Sequence, residues 1–209
     1  FELHSTGTYE PFTREACLDL LGPGKVFLDV GSHVGLYSIP ASRIVQEEGR
    51  VIAFEPHPGN RELLEENVAR NEADNVTVVD AAVSDSAGRM TLQISPFNTG
   101  DHRLYRKDSG SGSGVSTEVV SIDGWCEQNG IERVDMVKID VQGAEARVIQ
   151  GMDRVMACSP GMNIILEYTP WMLREAGDDP LELLNTLVER GFSLSIIDES
   201  KGELKASAP

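Results

Sequence analysis

Five short apolar runs, each carrying a carboxylate at its C-terminal end, constrain this chain more than any other feature. They are FLDV with Asp29, VIAFEP with Glu55, VTVVD with Asp80, VDMVKID with Asp140 and NIILEY with Glu167. Runs this short and this rich in bulky apolar residues suit buried strands. Helical stretches lie between them: VGLYSIPASRIVQ (34–46), NRELLEENVARNE (60–72), AEARVIQGMDRVM (144–156) and PLELLNTLVERG (180–191). Strand alternating with helix predicts an α/β fold, a mostly parallel sheet of seven strands with helices on both faces. In such a sheet ligands bind beyond the carboxyl ends of the strands, near the point where strand order reverses. The acids are therefore expected along one rim.

The third strand reads as one run, NVTVVDAAV (75–83), after which the alternation breaks. Residues 84–118 read as an insertion on the substrate side, with GRMTLQIS as an added strand and DSGSGSG (108–114) as a flexible loop or lid. FSLSIID (192–198) and KGELKA (201–206) are expected to close the sheet edge as a hairpin around Glu199 to Gly202. No repeat is visible, and residues 1–209 read as one domain; because it opens on Phe1, a truncated N-terminus is allowed for.

The formal charge of -16, from 34 acidic against 18 basic residues, argues against nucleic acid as the principal partner, since phosphate backbones are held by clustered Lys and Arg. Only five of the basic residues are Lys, a balance that would suit a high-salt cytoplasm. Cys17, Cys126 and Cys158 are odd in number and widely spaced, as reduced cytosolic thiols would be. No apolar run reaches the roughly 18 to 20 residues that span a bilayer, so a cytoplasmic location without a membrane span is expected.

The turn after the first strand, LDVGSHVGLYS, is not a P-loop, because it lacks the Gly-Lys-Ser/Thr that cradles phosphate and magnesium. Nor is it a dinucleotide fingerprint, where a second glycine lets the backbone approach a pyrophosphate; His33 holds that place. Asp29, Gly31, Ser32 and Gly35, with no basic residue among them, suit a ligand's ammonium group instead. Glu55, followed by Pro56 and 26 positions beyond Asp29, is placed to accept both hydroxyls of a ribose. Asp80, with the small Ala81 and Ala82, suits an adenine edge and face. Ammonium, ribose and adenine in that order describe S-adenosylmethionine. Each feature alone has a structural account, as a tight turn, a helix cap or a strand end; the ordered set favours the ligand.

DVGSHVG, FEPHP, NVTVVDAAVSD, VVSID and VDMVKIDVQGAE, in this order and spacing, resemble the FkbM family of S-adenosylmethionine-dependent methyltransferases over roughly residues 7–170. The resemblance implies a Rossmann-like class I methyltransferase fold and methyl transfer to an oxygen, on a small-molecule or glycan acceptor. It also implies cofactor roles for Gly31, Gly35, Glu55 and Asp80. An NAD(P)-dependent oxidoreductase and a non-catalytic scaffold that binds S-adenosylmethionine are the alternatives; the oxidoreductase predicts glycine at position 33, where this chain has His.

Transfer to a hydroxyl needs close alignment and a route for the proton. Asp140, which ends the fourth strand, is the leading candidate and is also placed to touch the cofactor; Glu167 and His57 are the other catalytic candidates. A minority reading has Asp140 and Glu167 hold a divalent metal such as Mg²⁺. Lys138 reads as a partly exposed strand residue or an ion-pair partner of Asp140 or Glu145, and Glu145 as a helix-capping acid. His57 is also readable as a turn residue. Asn98, Asp101, His102 and Arg103, in the insertion, are the expected acceptor contacts. Tyr9 and Glu10 are placed to close the cofactor's other side, and Trp125 and Trp171 read as packing residues. The oligomeric state is open.

Overall fold

The computed structural model describes residues 9–93, 103–105 and 114–206. Helix α1 (Pro11–Asp19) leads into β1 (Val26–Val30), α2 (Ser38–Val45), β2 (Arg50–Phe54), α3 (Pro58–Arg70) and β3 (Val76–Val79). Proline in the first turn starts α1 and α3, where its missing N–H has no helical partner to lose. After β8 (Met136–Ile139), α5 (Glu145–Gln150) and α6 (Asp153–Cys158) lead to β9 (Asn163–Leu166), α7 (Pro170–Glu175) and α8 (Pro180–Glu189). The principal sheet runs β3-β2-β1-β8-β9, every pair parallel. The chain winds outward from β1 to β3 and then returns to place β8 on the other side of β1. That reversal makes the gap beyond β1 and β8 the switch point.

Register divides the sheet's side chains between two cores. Leu28 pairs with Ile52 and Val137, and all three face the cluster completed by Ile149, Val155, Leu173 and Leu183. Their neighbours Phe27, Val51 and Met136 point the other way, onto Cys17 of α1 and Tyr37, Ala41 and Val45 around α2. Each such fully buried large side chain contributes roughly 1.5–3 kcal/mol of apolar burial. The same alternation puts Asp29 and its register partner Lys138 on the Phe27 side.

The expected sheet of seven strands is five among the described residues; the other strands form a second sheet and a separate hairpin. The run 75–83 breaks at Asp80, and β4 (Ala82–Val83) leaves to pair with β7 (Gly114–Val120). With β5 (Gly88–Gln93) and β6 (Arg103–Tyr105) they form a sheet of order β4-β7-β5-β6. The insertion therefore carries its own sheet. Strands β10 (Ser195–Asp198) and β11 (Glu203–Ala206) do form the expected hairpin, bonded to each other and not to β9. The helix expected over 34–46 begins only at Ser38, because His33 (φ 51°) and Gly35 (φ 91°) hold the preceding turn in left-handed conformations. The helix expected over 144–156 is two. They part at Gly151, where a Cβ would lie 2.2 Å from the Ser84 carbonyl oxygen. Helix α4 (Ile122–Gln128) packs beneath, with Trp125 edge-on to Phe54 at 5.3 Å.

Candidate active site

The strand order sets the rim acids in the row Asp80, Glu55, Asp29, Asp140, Glu167. What each carboxylate does differs sharply. Asp29 is fully buried: its Oδ2 accepts a 2.5 Å hydrogen bond from Ser38, and its Oδ1 lies 3.7 Å from Nζ of Lys138. Burial pushes its carboxyl up, and Lys138 and Ser38 oppose that. Asp29 thus braces the first turn from beneath. Ser32 is also buried and donates to the Phe54 carbonyl.

Lys138 is buried, not the partly exposed strand residue expected. Its ammonium donates to the Gly31 carbonyl (3.1 Å) and to Asp140 Oδ2 (3.3 Å) and sits 5.0 Å from the centre of the Tyr37 ring. Burial alone would lower its pKa, but Asp140 and Asp29 outweigh that and raise it. Its ion pairs are with Asp140 and Asp29, and Glu145 takes another role. Glu145 accepts from the backbone N–H groups of Val141 and Gly143, which lie in the loop ahead of α5 and not in the helix it is expected to cap.

Gly31 and Gly35 are required by space as well as by conformation. A Cβ on Gly31 would stand 1.9 Å from the Asp140 carbonyl oxygen, and one on Gly35 would stand 2.7 Å from Leu64. Glu55, only 5% exposed, accepts the backbone N–H of His33 at Oε2 and of His57 at Oε1, both at 2.9 Å. Burial pushes its carboxyl up to about 7 against those bonds. The Asn60 side chain donates to it as well, so of the about four acceptor positions of an ionised carboxylate about one is left for a further donor. Pro56 follows half-buried. Asp80 is exposed and paired to Arg61, a partner the sequence reading missed, while Ala81 and Ala82 are buried beside it.

Asp140 and Glu167 end neighbouring parallel strands and meet at the rim. Gln142 donates from Nε2 to Asp140 Oδ1 and to Glu167 Oε2, each at 2.8 Å. Burial would raise the Asp140 carboxyl, but Lys138 and the hydrogen bonds from Glu167 and Gln142 hold it below its ordinary range. Desolvation and the adjacent Asp140 charge push Glu167 the other way, up to about 8. The two therefore titrate as one pair, with Asp140 held down by Lys138 and Glu167 held up by desolvation and the Asp140 charge. Glu10 joins the same field: Tyr37 donates to it at 3.3 Å, and burial and then Asp140 raise its carboxyl. Burial likewise raises the Tyr9 hydroxyl, with Glu10, Asp140 and Glu167 adding to it. Both residues therefore lie within the field of Asp140.

His57 caps α3, its Nδ1 accepting from the Asn60 N–H at 3.2 Å, which is its turn-residue reading. His33 lies half-buried in the first turn, its pKa lowered by burial and then by Lys138. Asn98, Asp101 and His102 lie outside the described residues, as do 106–113; Arg103 begins β6, opposite Gln93 of β5. Trp171 is 55% exposed, which departs from its expected packing role. Among the described residues no three His, Cys, Asp or Glu side chains are grouped to hold a metal ion, and no helix is long and apolar enough to cross a membrane.

The chain is similar in sequence and in fold to known methyltransferases. Methyltransferase sdnD of Sordaria araneosa is 29% identical over 177 residues, covering 69% of this chain and 68% of its own length. Hexuronic acid methyltransferase AglP of Haloferax volcanii is 28% identical over 179 residues, covering 85% and 67%. The chain thus spans about two thirds of either relative. Among solved structures, an O-methyltransferase from Bacillus cereus in complex with SAH superposes with a TM-score of 0.53 at 14% identity, covering 91% of this chain and 75% of its own, a likeness of fold. Residues 29–194, from the first rim carboxylate to beyond α8, match the family described as the methyltransferase FkbM domain, and the chain belongs to that family.

Proposed function

We propose that this chain is an S-adenosylmethionine-dependent O-methyltransferase acting on a hydroxyl of a small molecule or glycan. The observation that carries the reading is Asp140 at the switch point, 3.3 Å from the buried Lys138 ammonium and joined through Gln142 to Glu167 at the next strand end. The rim fits the cofactor's chemistry. Asp140, Asp29 and Glu10 act on a single buried ammonium, Lys138, so acids outnumber bases at this rim and a cationic occupant is favoured over an anionic one. Gly31 and Gly35 shape the turn for its amino-acid end, Glu55 accepts from its ribose, and Asp80 with Ala81 and Ala82 flanks its base. When bound, S-adenosylmethionine supplies an electrophilic methyl group to the acceptor oxygen.

The protein's own task is to orient the acceptor hydroxyl and take its proton. Asp140 receives that proton, and Glu167, already protonated, hydrogen-bonds the pair without adding charge. His57 is left out of the step, since its ring caps α3. Lys138, 3.3 Å from Asp140, supplies positive charge where the metal-dependent alternative would set Mg²⁺. A sugar-like acceptor is supported by AglP, whose name gives hexuronic acid as its substrate, and a non-nucleic one by the charge of -16. Calorimetry with S-adenosylhomocysteine tests the cofactor: binding is expected, and binding of NADH in its place would overturn the reading. Asp140→Asn should retain that binding and lose turnover.

A further inference from the structure

Gln142 is the residue at this rim whose conformation needs explaining. Its backbone is left-handed (φ 55°), a region in which a side chain costs energy and which marks positions held by their surroundings. What holds it is visible at the next residue. The next residue, Gly143 (φ 104°), packs so closely that a Cβ would meet the Met172 carbonyl oxygen of α7 at 3.1 Å. The Gly143 N–H is fixed in turn by both oxygens of the buried Glu145, at 3.0 Å. The loop between β8 and α5 is therefore clamped against α7, and the clamp turns the Gln142 amide outward between two carboxyl groups.

That amide has two N–H donors and uses them on two strands, one on Asp140 and one on Glu167. We propose that Gln142 is a positioning residue that ties Asp140 and Glu167 into one carboxyl pair and sets the charge state in which the pair meets the acceptor. The proposal rests on the reading of Asp140 as the proton acceptor. Donors aimed at carboxylate oxygens favour the ionised forms. Removing them should make both carboxyl groups harder to ionise, whether or not any ligand is bound.

Carbon-13 NMR titration of the Asp140 and Glu167 carboxyl signals tests this on the whole chain without an acceptor. Gln142→Met keeps the bulk and removes both donors; Gln142→Gly removes them while suiting the left-handed backbone, so it secures a folded variant. In both variants the two titration steps should move to higher pH by about half a unit or more. Curves that superimpose on the wild type in both variants would overturn the proposal. Failure of the underlying reading looks different. If S-adenosylhomocysteine does not bind, or if Asp140→Asn keeps turnover, the catalytic assignment falls even where the titration shift is seen.

Discussion

Gly31 and Asp140 meet across the switch point so closely that a methyl group on the glycine would stand 1.9 Å from the aspartate's carbonyl oxygen. The first turn is thus fitted to the end of β8 by a close backbone approach, which the Lys138 ammonium also bridges. Gly31→Ala has to move one strand end and also adopt φ near +80°. Gly24 provides the comparison, with φ of +76° and nothing within 4 Å of an added Cβ. Gly24→Ala should cost about 1 kcal/mol from conformation alone. Gly31→Ala should cost about 3 kcal/mol or more by urea denaturation. Equal losses at the two positions would show that the close approach carries no energy.

How much of this was legible beforehand depends on distance along the chain. That the acids share one rim follows from local pattern, because each carboxylate ends its own apolar run, whereas their order along it is set by which strands pair. Lys138 was legible as far as its side of the strand, two residues from Asp140, but not as a buried group, since burial is decided by Tyr37 and Asp29 packing over it. Arg61 on Asp80 was not legible, because it requires α3 to lie alongside β3. Gln142 stands in plain view between Asp140 and Gly143, yet its role depends on a left-handed backbone that no residue type announces. The strand 75–83 failed for a related reason: Asp80 and Ala81 look like more strand, and only pairing of Ala82 with Val119 shows the chain changing sheets.

Lys138 is the buried cation between Asp29 and Asp140, so replacing it leaves two carboxylates facing each other in a poorly solvated site. Lys138→Met should destabilise the fold by about 3–5 kcal/mol at neutral pH. The loss has a sign in pH. Without the ammonium both carboxyl groups titrate higher in the folded state than in the unfolded chain, so the folded state binds more protons and the deficit shrinks as pH falls toward 5. Denaturation of both proteins at pH 5 and pH 7 checks this. A deficit that grows on acidification would mean that Lys138 serves packing rather than charge.

Glu55 should make cofactor binding depend on pH near neutrality. Burial holds its carboxyl up to about 7 despite the backbone N–H groups of His57 and His33, so near neutrality it is part protonated. Only the ionised form leaves an acceptor position free for a ribose hydroxyl beside the bonds Glu55 already accepts from His33, His57 and Asn60. Affinity for S-adenosylhomocysteine should therefore rise from pH 6 to pH 8 and level off above, and Glu55→Gln should bind about tenfold or more weakly with that pH dependence lost. Fold stability should move the opposite way. With its folded pKa above the unfolded value of 4.5, Glu55 makes the folded state bind the extra proton, so stability falls as pH rises from about 4.5 to about 7, by at most about 3 kcal/mol. Calorimetry in buffers of matched ionisation heat would expose a flat binding profile, which would remove Glu55 from the ribose role.

Glu199 ties the two ends of the described chain together. From the turn between β10 and β11 its carboxylate accepts from the Phe12 N–H (3.0 Å), the Thr13 N–H (2.7 Å) and the Thr13 hydroxyl (2.8 Å). These are orphan donors at the start of α1, where Glu10, left-handed at φ 43°, gives no cap of its own. Desolvation would raise the Glu199 carboxyl, but the bonds from Phe12 and Thr13 hold it below its ordinary range. The stabilisation is therefore present above the unfolded pKa and lost as pH falls through the lower folded one. Since α1 carries Glu10 up to Tyr37 and the Asp140 end of the rim, the hairpin acts on the site at one remove. Glu199→Ala should cost about 1–2 kcal/mol, felt first as faster amide exchange over residues 11–19. It should also weaken S-adenosylhomocysteine binding more than it lowers the urea midpoint. Unchanged exchange in α1 would refute the tie, and unchanged affinity beside faster exchange would confine Glu199 to capping a helix that the site does not use.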